Sequence, residues 1–220
     1  MEEIFVVGSA GHALVVLDML EKAQRYLVAG LLDPFRRPGE TVAGYQVLGG
    51  QADIPELSAA MGVKNTMLAI GDNWDRSRVY EEIAGACPDV RFPICIHPAA
   101  HIGSNVTIGE GSVVMPGAVI NSGCRIGRFC VVNSAATVEH ECNLEDFSSI
   151  APGAILGGNV TIGRYSSVSL GAHVVHKVSI GRHVVVGAGA LVLDDVTDQV
   201  IAHGTPARKI RTREIGEGYL

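Results

Sequence analysis

The chain of 220 residues carries a formal net charge of −6 at pH 7, a hydrophobic content of 47% and five cysteines without a CxxC motif. This composition predicts a substantial core in one large or two modest domains, and the acidic balance argues against nucleic acid as a partner. We expect a cytoplasmic protein without a disulfide framework, because the sequence has no bilayer-length apolar run and no basic, cleavable leader.

The first 95 residues alternate between strand-like and helix-like segments. The predicted strands are Glu3–Val7, Tyr26–Leu32, Thr66–Ile70 and Val90–Ile94, with a short strand or excursion at Val42–Leu48. One predicted helix follows the turn Gly8–Ala13, and two more cover Ile54–Met61 and Asp75–Ala86. In the last of these, Arg76 and Arg78 are assigned to polar positions. This alternation predicts a small parallel sheet flanked by helices, a truncated doubly wound domain of the half-Rossmann type.

Three of these predicted strands end in residues that suit a nucleotide. Gly8-x-x-Gly11 leads from a strand into a helix, whose first N–H groups favour phosphate, although the G-x-G-x-x-G fingerprint is absent. Asp33 ends the second strand, and Gly71 and Asn73 follow the strand before the last helix. Ligands of such sheets bind outside the carboxyl ends of the strands, so this convergence favours a nucleotide or nucleotide-sugar over simple turn chemistry.

A repeat of six residues organises the chain from Ile96 to Val192, where every sixth residue is Ile, Leu or Val. This period belongs neither to a helix nor to a strand. The position two residues earlier is mostly small and includes Cys124, Cys130 and Cys142, which we assign to core packing. We interpret three hexads as one coil of a triangular prism, with coils stacked about 4.8 Å apart. Gly recurs after the aliphatic residue, and we expect it to supply strained corner conformations.

His140 is the candidate for chemistry on this prism. It lies two positions after the inward Val138, in a slot that faces outward, and it is flanked by Glu139 and Glu141. Neighbouring carboxylates favour the imidazolium and raise the basicity of the ring, which suits a general base near neutral pH. An ordinary surface histidine is the alternative interpretation.

A metal site is a further alternative, because His176 follows His140 by two coils and would lie roughly 10 Å away in the same column. The γ-class carbonic anhydrases, which place zinc ligands on such prisms, have a third histidine where this chain has Gly181. Two ligands in separate coils do not make a closed zinc site, so we predict no metal. Gly158 lies between the two histidines in the column and would let a cofactor approach the backbone.

The hexad ends after Val192, and the tail through Arg208, Lys209, Arg211 and Arg213 is the most basic stretch of the chain. One interpretation is a solvated cap that closes the end of the prism. The other is a cationic patch for the phosphates of a cofactor. We therefore divide the chain into residues 1–95, 96–193 and 194–220.

The [LIV]-G-x-x-x-x pattern resembles the hexapeptide-repeat acyltransferases. The segments Asn133–Cys142, Gly8–His12, Ile70–Asn73, His97–Pro98 and Gly204–Ala207 are similar to those of N-acetyltransferases that modify UDP-4-amino sugars, with the bacillosamine-pathway enzyme as the nearest type. The resemblance implies a half-Rossmann-like α/β domain, a left-handed parallel β-helix and a short C-terminal cap. It also implies a homotrimer with active sites in the grooves between prisms, a nucleotide-linked amino sugar as substrate and acetyl-CoA as co-substrate.

The resemblance also assigns roles to individual residues. His140 would be the base for the C4 amine, Glu141 would orient it, and Asn133 would position the reacting groups. The nucleotide sugar would contact Ala10, Gly11, His12, Asp33, Pro34 and Gly71, and acetyl-CoA would lie near Ser149, Gly158, Leu170 and Ala188. Ser149 departs from relatives that have His there. The open alternatives are a sialic acid-type O-acetyltransferase, an enzyme for GDP- or dTDP-linked amino sugars, a carbonic anhydrase-like metalloenzyme and a non-catalytic scaffold.

Overall fold

The computed structural model describes residues 1–219, which form an α/β domain followed by a long prism of short parallel strands. The α/β domain contains strands β1 Glu2–Val7, β2 Tyr26–Leu32, β3 Thr41–Val42, β4 Tyr45–Gly49 and β5 Asn65–Leu68, and helices α1 Gly11–Ala23, α2 Ile54–Met61 and α3 Asn73–Ala86, with a 3-10 turn at Gln51–Asp53. The sheet order is β3-β4-β2-β1-β5, and all pairs are parallel except the β3–β4 hairpin. The carboxyl ends of β1, β2 and β5 therefore lie side by side at one edge.

The predicted strand Val90–Ile94 is wrong. Only an isolated bridge from Arg91 to Asn65 forms there, and Pro93 has no N–H with which to continue a ladder. The strand predicted from Thr66 starts one residue earlier and ends at Leu68, before the turn into α3. Helix α3 then begins because the Asp72 side chain accepts hydrogen bonds from the N–H groups of the first turn.

Arg76 does not lie on the polar face of α3, as the helical pattern had predicted. Arg76 is only 1% exposed, and its guanidinium donates to the carbonyls of Ile70 and Gly71 at 2.8 and 2.9 Å. Its Nε also donates to Phe129 O, in the prism, at 3.0 Å. A buried cation is tolerated here because backbone carbonyls and the side chain of Asn73 satisfy its donors. Arg76 thus ties the loop after β5 to the prism.

The prism consists of three sheets of two-residue strands. The first sheet contains β6 Cys95–Ile96, β9 Val113–Val114, β12 Val131–Val132, β15 Ser149–Ile150, β18 Ser167–Val168 and β21 Val185–Val186. The second contains β7 His101–Ile102, β10 Val119–Ile120, β13 Thr137–Val138, β16 Ile155–Leu156, β19 His173–Val174 and β22 Leu191–Val192. The third contains β8 Thr107–Ile108, β11 Arg125–Ile126, β14 Asn143–Leu144, β17 Thr161–Ile162 and β20 Ser179–Ile180. Each strand pairs in parallel with the strand eighteen residues later, as Thr137 does with Ile155, so three hexads make one coil.

The aliphatic ladder fills the inside of this prism. The repeated aliphatic residues from Val114 to Val192 are buried together with the small residues beside them, including the free thiols of Cys124, Cys130 and Cys142. Ile96, Ile102 and Ile108 are only partly buried, because they belong to the first coil and have no coil beneath them. Stacking of neighbouring coils therefore supplies the core, as expected for a solenoid.

The glycines that follow the aliphatic residues are not the strained corners that we expected. The left-handed corner conformation lies two residues further on, at Asn105, Gly123 and Glu141 among others. Gly103 is required by close approach instead, because a Cβ there would lie 2.7 Å from the backbone nitrogen of Ser122 in the next coil. These glycines are therefore needed because the coils stack closely, and not because their own backbone is strained.

The α/β domain covers the first sheet and one neighbouring vertex of the prism. Val113 and Val131 of the first sheet share a core cluster with α1 residues such as Leu17 and Leu20. At the vertex between the third and first sheets, Phe129 stacks on Phe147 with a centroid distance of 5.1 Å, and the aromatic column continues with Tyr165. Tyr80 of α3 lies 4.4 Å from the ring of Phe129. These contacts fix the orientation of the two domains.

The C-terminal segment extends the first sheet and then returns to the α/β domain. Strand β23 Val200–Gly204 pairs in parallel with β21. Strand β24 Ala207–Thr212 then pairs with β23 in antiparallel orientation. Arg213 is buried and donates to His183 O at 3.2 Å, so this part of the tail is not the solvated cap of our first interpretation. The Tyr219 hydroxyl reaches Gly71 O at 3.4 Å, and position 220 of the predicted cap lies outside the described residues.

Candidate active site

His140 lies at the vertex between the second and third sheets, and its side chain is 57% exposed. Its Nδ1 is 3.1 Å from Oε2 of Glu141. Because the carboxylate engages Nδ1, Nε2 is the ring nitrogen left to accept a proton from a ligand. The arrangement places an imidazole and a hydrogen-bonded carboxylate together on an accessible edge of the prism.

The Glu141 carboxylate is held by two partners. The same Oε2 accepts a hydrogen bond from Nδ2 of Asn159, one coil away, at 3.3 Å. Hydrogen bonding from His140, and then from Asn159, lowers the pKa of Glu141. The carboxyl group is therefore ionised at neutral pH and can accept both hydrogen bonds.

Gly158 provides the space in which the imidazole lies. A Cβ at this position would be 2.5 Å from both Cε1 and Nε2 of His140. Other residues in the same column, such as Ser122 and His176, carry side chains, so the corner itself accepts them. The absence of a side chain at Gly158 is thus specific to the coil above His140.

A second feature is a cavity of about 830 Å³ at the carboxyl ends of β1, β2 and β5. This size is typical of small-ligand sites. Five of the six predicted nucleotide-sugar residues line it: Ala10, His12, Asp33, Pro34 and Gly71. Gly11 starts α1 beside the cavity but is not among the lining residues.

Ser9 and Phe35 line this cavity, and Arg36 lies beside it, although none of the three was predicted as a site residue. Asp33 accepts hydrogen bonds from the hydroxyl of Ser9 and from the N–H of Phe35, and Arg36 donates to Ser9 at 2.7 Å. Phe35 is 95% exposed and lines the cavity. An aromatic residue directly after the Asp-Pro end of a strand was the signal that could have revealed it.

His12 is neutral in the folded protein. Burial, and then the nearby cation of Arg76, lower the pKa of His12 to about 4. Its Nε2 is buried and has no hydrogen-bond partner among the described residues. Since His12 lines the cavity, this nitrogen is available to form a hydrogen bond with a bound ligand while the ring stays neutral.

The remaining predicted residues lie on other faces of the prism. Asn133, Leu170 and Ala188 occupy the vertex between the first and second sheets, and Asn133 Oδ1 accepts the N–H of Ser134 at 2.8 Å. Ser149 is only 7% exposed and donates to Asn73 Oδ1 inside the domain interface. The predicted contact of Ser149 with acetyl-CoA therefore concerns a buried hydroxyl and stays a prediction.

The two features lie on opposite sides of one chain. The cavity belongs to the domain that covers the first sheet, whereas the His140 vertex is the corner of the triangle that this sheet does not touch. The described residues include no group of three or more His, Cys, Asp or Glu side chains able to hold a metal ion. Among the same residues, no helix has the length and apolar character needed to cross a bilayer.

Comparison with known proteins gives matches over both domains. Residues 3–83 match the family described as the PglD N-terminal domain, and residues 96–134 match the bacterial transferase hexapeptide family. UDP-N-acetylbacillosamine N-acetyltransferase of Bacillus subtilis is 31% identical over 115 residues. That alignment spans 52% of this chain and only 52% of the length of the curated relative.

Two solved structures align over nearly the whole chain. One is a histidine-to-alanine variant of GDP-perosamine N-acetyltransferase from Caulobacter crescentus in complex with CoA and GDP-perosamine, with 32% identity, a TM-score of 0.89 and coverage of 95% of this chain and 97% of that one. The other is the acetyltransferase domain of PglB from Neisseria gonorrhoeae with acetyl coenzyme A, with 32% identity, a TM-score of 0.87 and coverage of 95% and 99%. The chain, an α/β domain followed by a left-handed parallel β-helix, therefore belongs to the hexapeptide-repeat sugar N-acetyltransferases.

Proposed function

We propose that this chain transfers the acetyl group of acetyl-CoA to the 4-amino group of a UDP-linked 4-amino-4,6-dideoxy sugar, with His140 as general base. The observation that carries the proposal is the exposed His140–Glu141 pair above Gly158 on the prism. The cavity at the sheet edge supports a nucleotide-sugar, because Asp33 and the start of α1 meet there. The Bacillus subtilis relative supports the UDP-linked substrate.

The chemistry requires a neutral amine. Nε2 of His140 takes a proton from the sugar amine as its nitrogen attacks the thioester carbonyl, and the ionised Glu141 stabilises the resulting imidazolium. The C–N bond forms, the C–S bond breaks, and CoA leaves as a thiolate that can accept a proton from the imidazolium. No acyl-enzyme is needed, and Cys124, Cys130 and Cys142 are buried inside the prism.

The active site is shared between copies of the chain. Within one chain the cavity and His140 lie on opposite sides of the prism, so a neighbouring copy must bring its His140 vertex to the cavity. We therefore propose a homotrimer with acetyl-CoA in the groove between two prisms. Gly158 on one vertex, and Leu170 and Ala188 on another, border the exposed second sheet that would form a wall of this groove. Asn133 lies on the same vertex as Leu170 and would position the reacting groups from the second chain.

A GDP-linked amino sugar is the second candidate substrate. The Caulobacter crescentus structure, which aligns with 95% of this chain, contains GDP-perosamine. The test is a panel of UDP-, GDP- and dTDP-linked 4-amino sugars, with free sialic acid for O-acetylation, each offered with acetyl-CoA while CoA release is measured. We expect turnover with a UDP-linked amino sugar, and a preference for free sialic acid would contradict the proposal.

The paired variants are His140→Ala and Lys64→Ala. His140→Ala should lower kcat about 100- to 10,000-fold, because it removes the base but leaves both ligand sites. Lys64 is exposed just before β5, at the sheet edge opposite the cavity, so Lys64→Ala should retain wild-type turnover. Wild-type turnover in His140→Ala would overturn the assignment of the base.

A further inference from the structure

One column of residues passes through Glu141, beside the candidate base, and the proposed role of the base does not explain this column. Asn105, Gly123, Glu141, Asn159 and Lys177 are spaced eighteen residues apart, so each occupies the same corner of a successive coil. All five have left-handed backbone conformations, with φ between 57° and 76°, including 59° at Glu141 and 61° at Asn159. The side chains of the four residues other than Gly123 therefore leave the prism in parallel, one above the next.

This parallel arrangement brings the Asn159 amide to the Glu141 carboxylate. Asn159 Nδ2 donates to Oε2 at 3.3 Å, and the same oxygen is 3.1 Å from Nδ1 of His140. A Cβ at Gly123, on the other side, would lie at an ordinary contact distance of 3.4 Å from Cγ of Glu141. Glu141 thus has a donor on one side and an open glycine on the other.

The Glu141 side chain needs such a partner. Its side chain is 65% exposed, and an exposed carboxylate paired with a single exposed cation gains little because both side chains lose rotamer freedom. A second hydrogen bond from a neighbouring rigid corner selects the rotamer that points at His140. An amide suits this role because it donates a hydrogen bond without adding a charge that would compete with the imidazolium.

We propose that Asn159 is a positioning residue, which holds the Glu141 carboxylate against Nδ1 of His140. The catalytic consequence rests on the proposed function, whereas the effect on the imidazole does not. The other titratable groups at this vertex are Glu139, Cys124, Cys142, His176, Lys177, Asp194 and Asp195. The two thiols point into the prism and donate to the backbone carbonyls of Glu139 and Gly157.

The test uses Asn159→Gly with Asn105→Gly as its matched control. Glycine adopts the left-handed corner without strain, so Asn159→Gly removes the amide and leaves the backbone in place. Asn105 has the same conformation in the same column, three coils away, and the identical substitution there does not touch Glu141. Glu141→Gly supplies the third variant, since glycine already occupies this corner one coil below, at Gly123.

The first readout is the hydrogen bond at Nδ1 of the His140 ring, followed by ¹⁵N NMR in the assembled protein without substrates and assigned with His140→Ala. We expect Asn159→Gly to shift the Nδ1 resonance towards its position in Glu141→Gly, because a mobile carboxylate engages Nδ1 less of the time. Asn105→Gly should leave the resonance unchanged, and Asn159→Gly should add nothing in the Glu141→Gly background. An unchanged resonance, or an equal shift in both backgrounds, would overturn the proposal.

The second readout is steady-state acetyl transfer. We expect Asn159→Gly to lower kcat roughly three- to tenfold, with the KM values of both substrates unchanged, since the base is misplaced and no ligand contact is lost. A raised KM with unchanged kcat would assign Asn159 to ligand binding instead and would also overturn the proposal. If no acceptor in the panel is acetylated by the wild type, the proposed function fails, while the Nδ1 resonance of His140 still decides the role of Asn159.

Discussion

Substitution of Gly158 by alanine tests whether the position of the His140 ring matters. The added Cβ would lie 2.5 Å from Cε1 and Nε2, whereas ordinary contact begins at 3.4 Å, so the ring must move by about 0.9 Å. The backbone at Gly158 is not left-handed, and serine occupies the corresponding place at Ser122, so the corner itself accepts a side chain. The imidazole is exposed and can swing towards solvent, which moves Nε2 away from its reactive position.

A displacement of this size is expected to reduce kcat by roughly 100-fold, because proton transfer requires hydrogen-bond distance between the base and the amine. The assay compares kcat of the wild type and Gly158→Ala with the preferred acceptor from the panel, and thermal unfolding checks that the prism is intact. We expect a melting temperature close to that of the wild type, because no buried group is displaced.

The control for Gly158→Ala is the same substitution in the His140→Ala background. With the ring absent there is no clash, so the second substitution should not reduce the residual rate further. Full kcat in Gly158→Ala would refute the reasoning, since it would mean that the ring tolerates the displacement. A further loss in the double variant would instead point to a contact between Gly158 and acetyl-CoA.

Two further predictions concern the cavity and the assembly. Because the pKa of His12 is lowered to about 4, the unfolded chain binds more protons than the folded chain between pH 6.5 and 4. The free energy of unfolding should therefore fall by about 2–3 kcal/mol from pH 7 to 4.5. His12→Gln should remove most of this fall in urea unfolding at the two pH values, and an undiminished fall would refute the assignment. Random mixed trimers of His140→Ala and Asp33→Ala, each inactive alone, should recover about a quarter of wild-type activity if every site takes its cavity and its base from different chains. No recovery would place both in one chain.

Much of the fold could be predicted because it is encoded in local periodicity. The predicted bounds of β2 and α2 coincide with those observed, since each is a continuous pattern ended by glycine, proline or a charged turn. The register of the prism followed from the hexad alone, because the aliphatic residue of every hexad must face inward for the coils to bury a common core. The outward slot of His140 is a consequence of the same register.

The failures concern residues whose environment comes from distant parts of the chain. The helical pattern assigned Arg76 to a polar face, but the carbonyl of Phe129 and the loop after β5 surround it. The burial of Ser149 also could not be predicted, because only the packing of α3 against the first sheet places it under Asn73, and its contact with acetyl-CoA stays a prediction. The glycine of the hexad was identified correctly as necessary, but its cause is the backbone of the next coil.

By itself, the sequence determined which residues face into the prism, at which edge the parallel strands of the α/β domain end together, and that His140 has an acidic neighbour. Only the tertiary structure decided which side of the prism the α/β domain covers, and hence that the cavity and His140 of one chain face away from each other. It also decided the partnership of Asn159 with Glu141 and of Gly158 with His140. The physical reason is that periodicity records whether a side chain is inside or outside, whereas contacts between coils and between domains join residues that no local pattern relates.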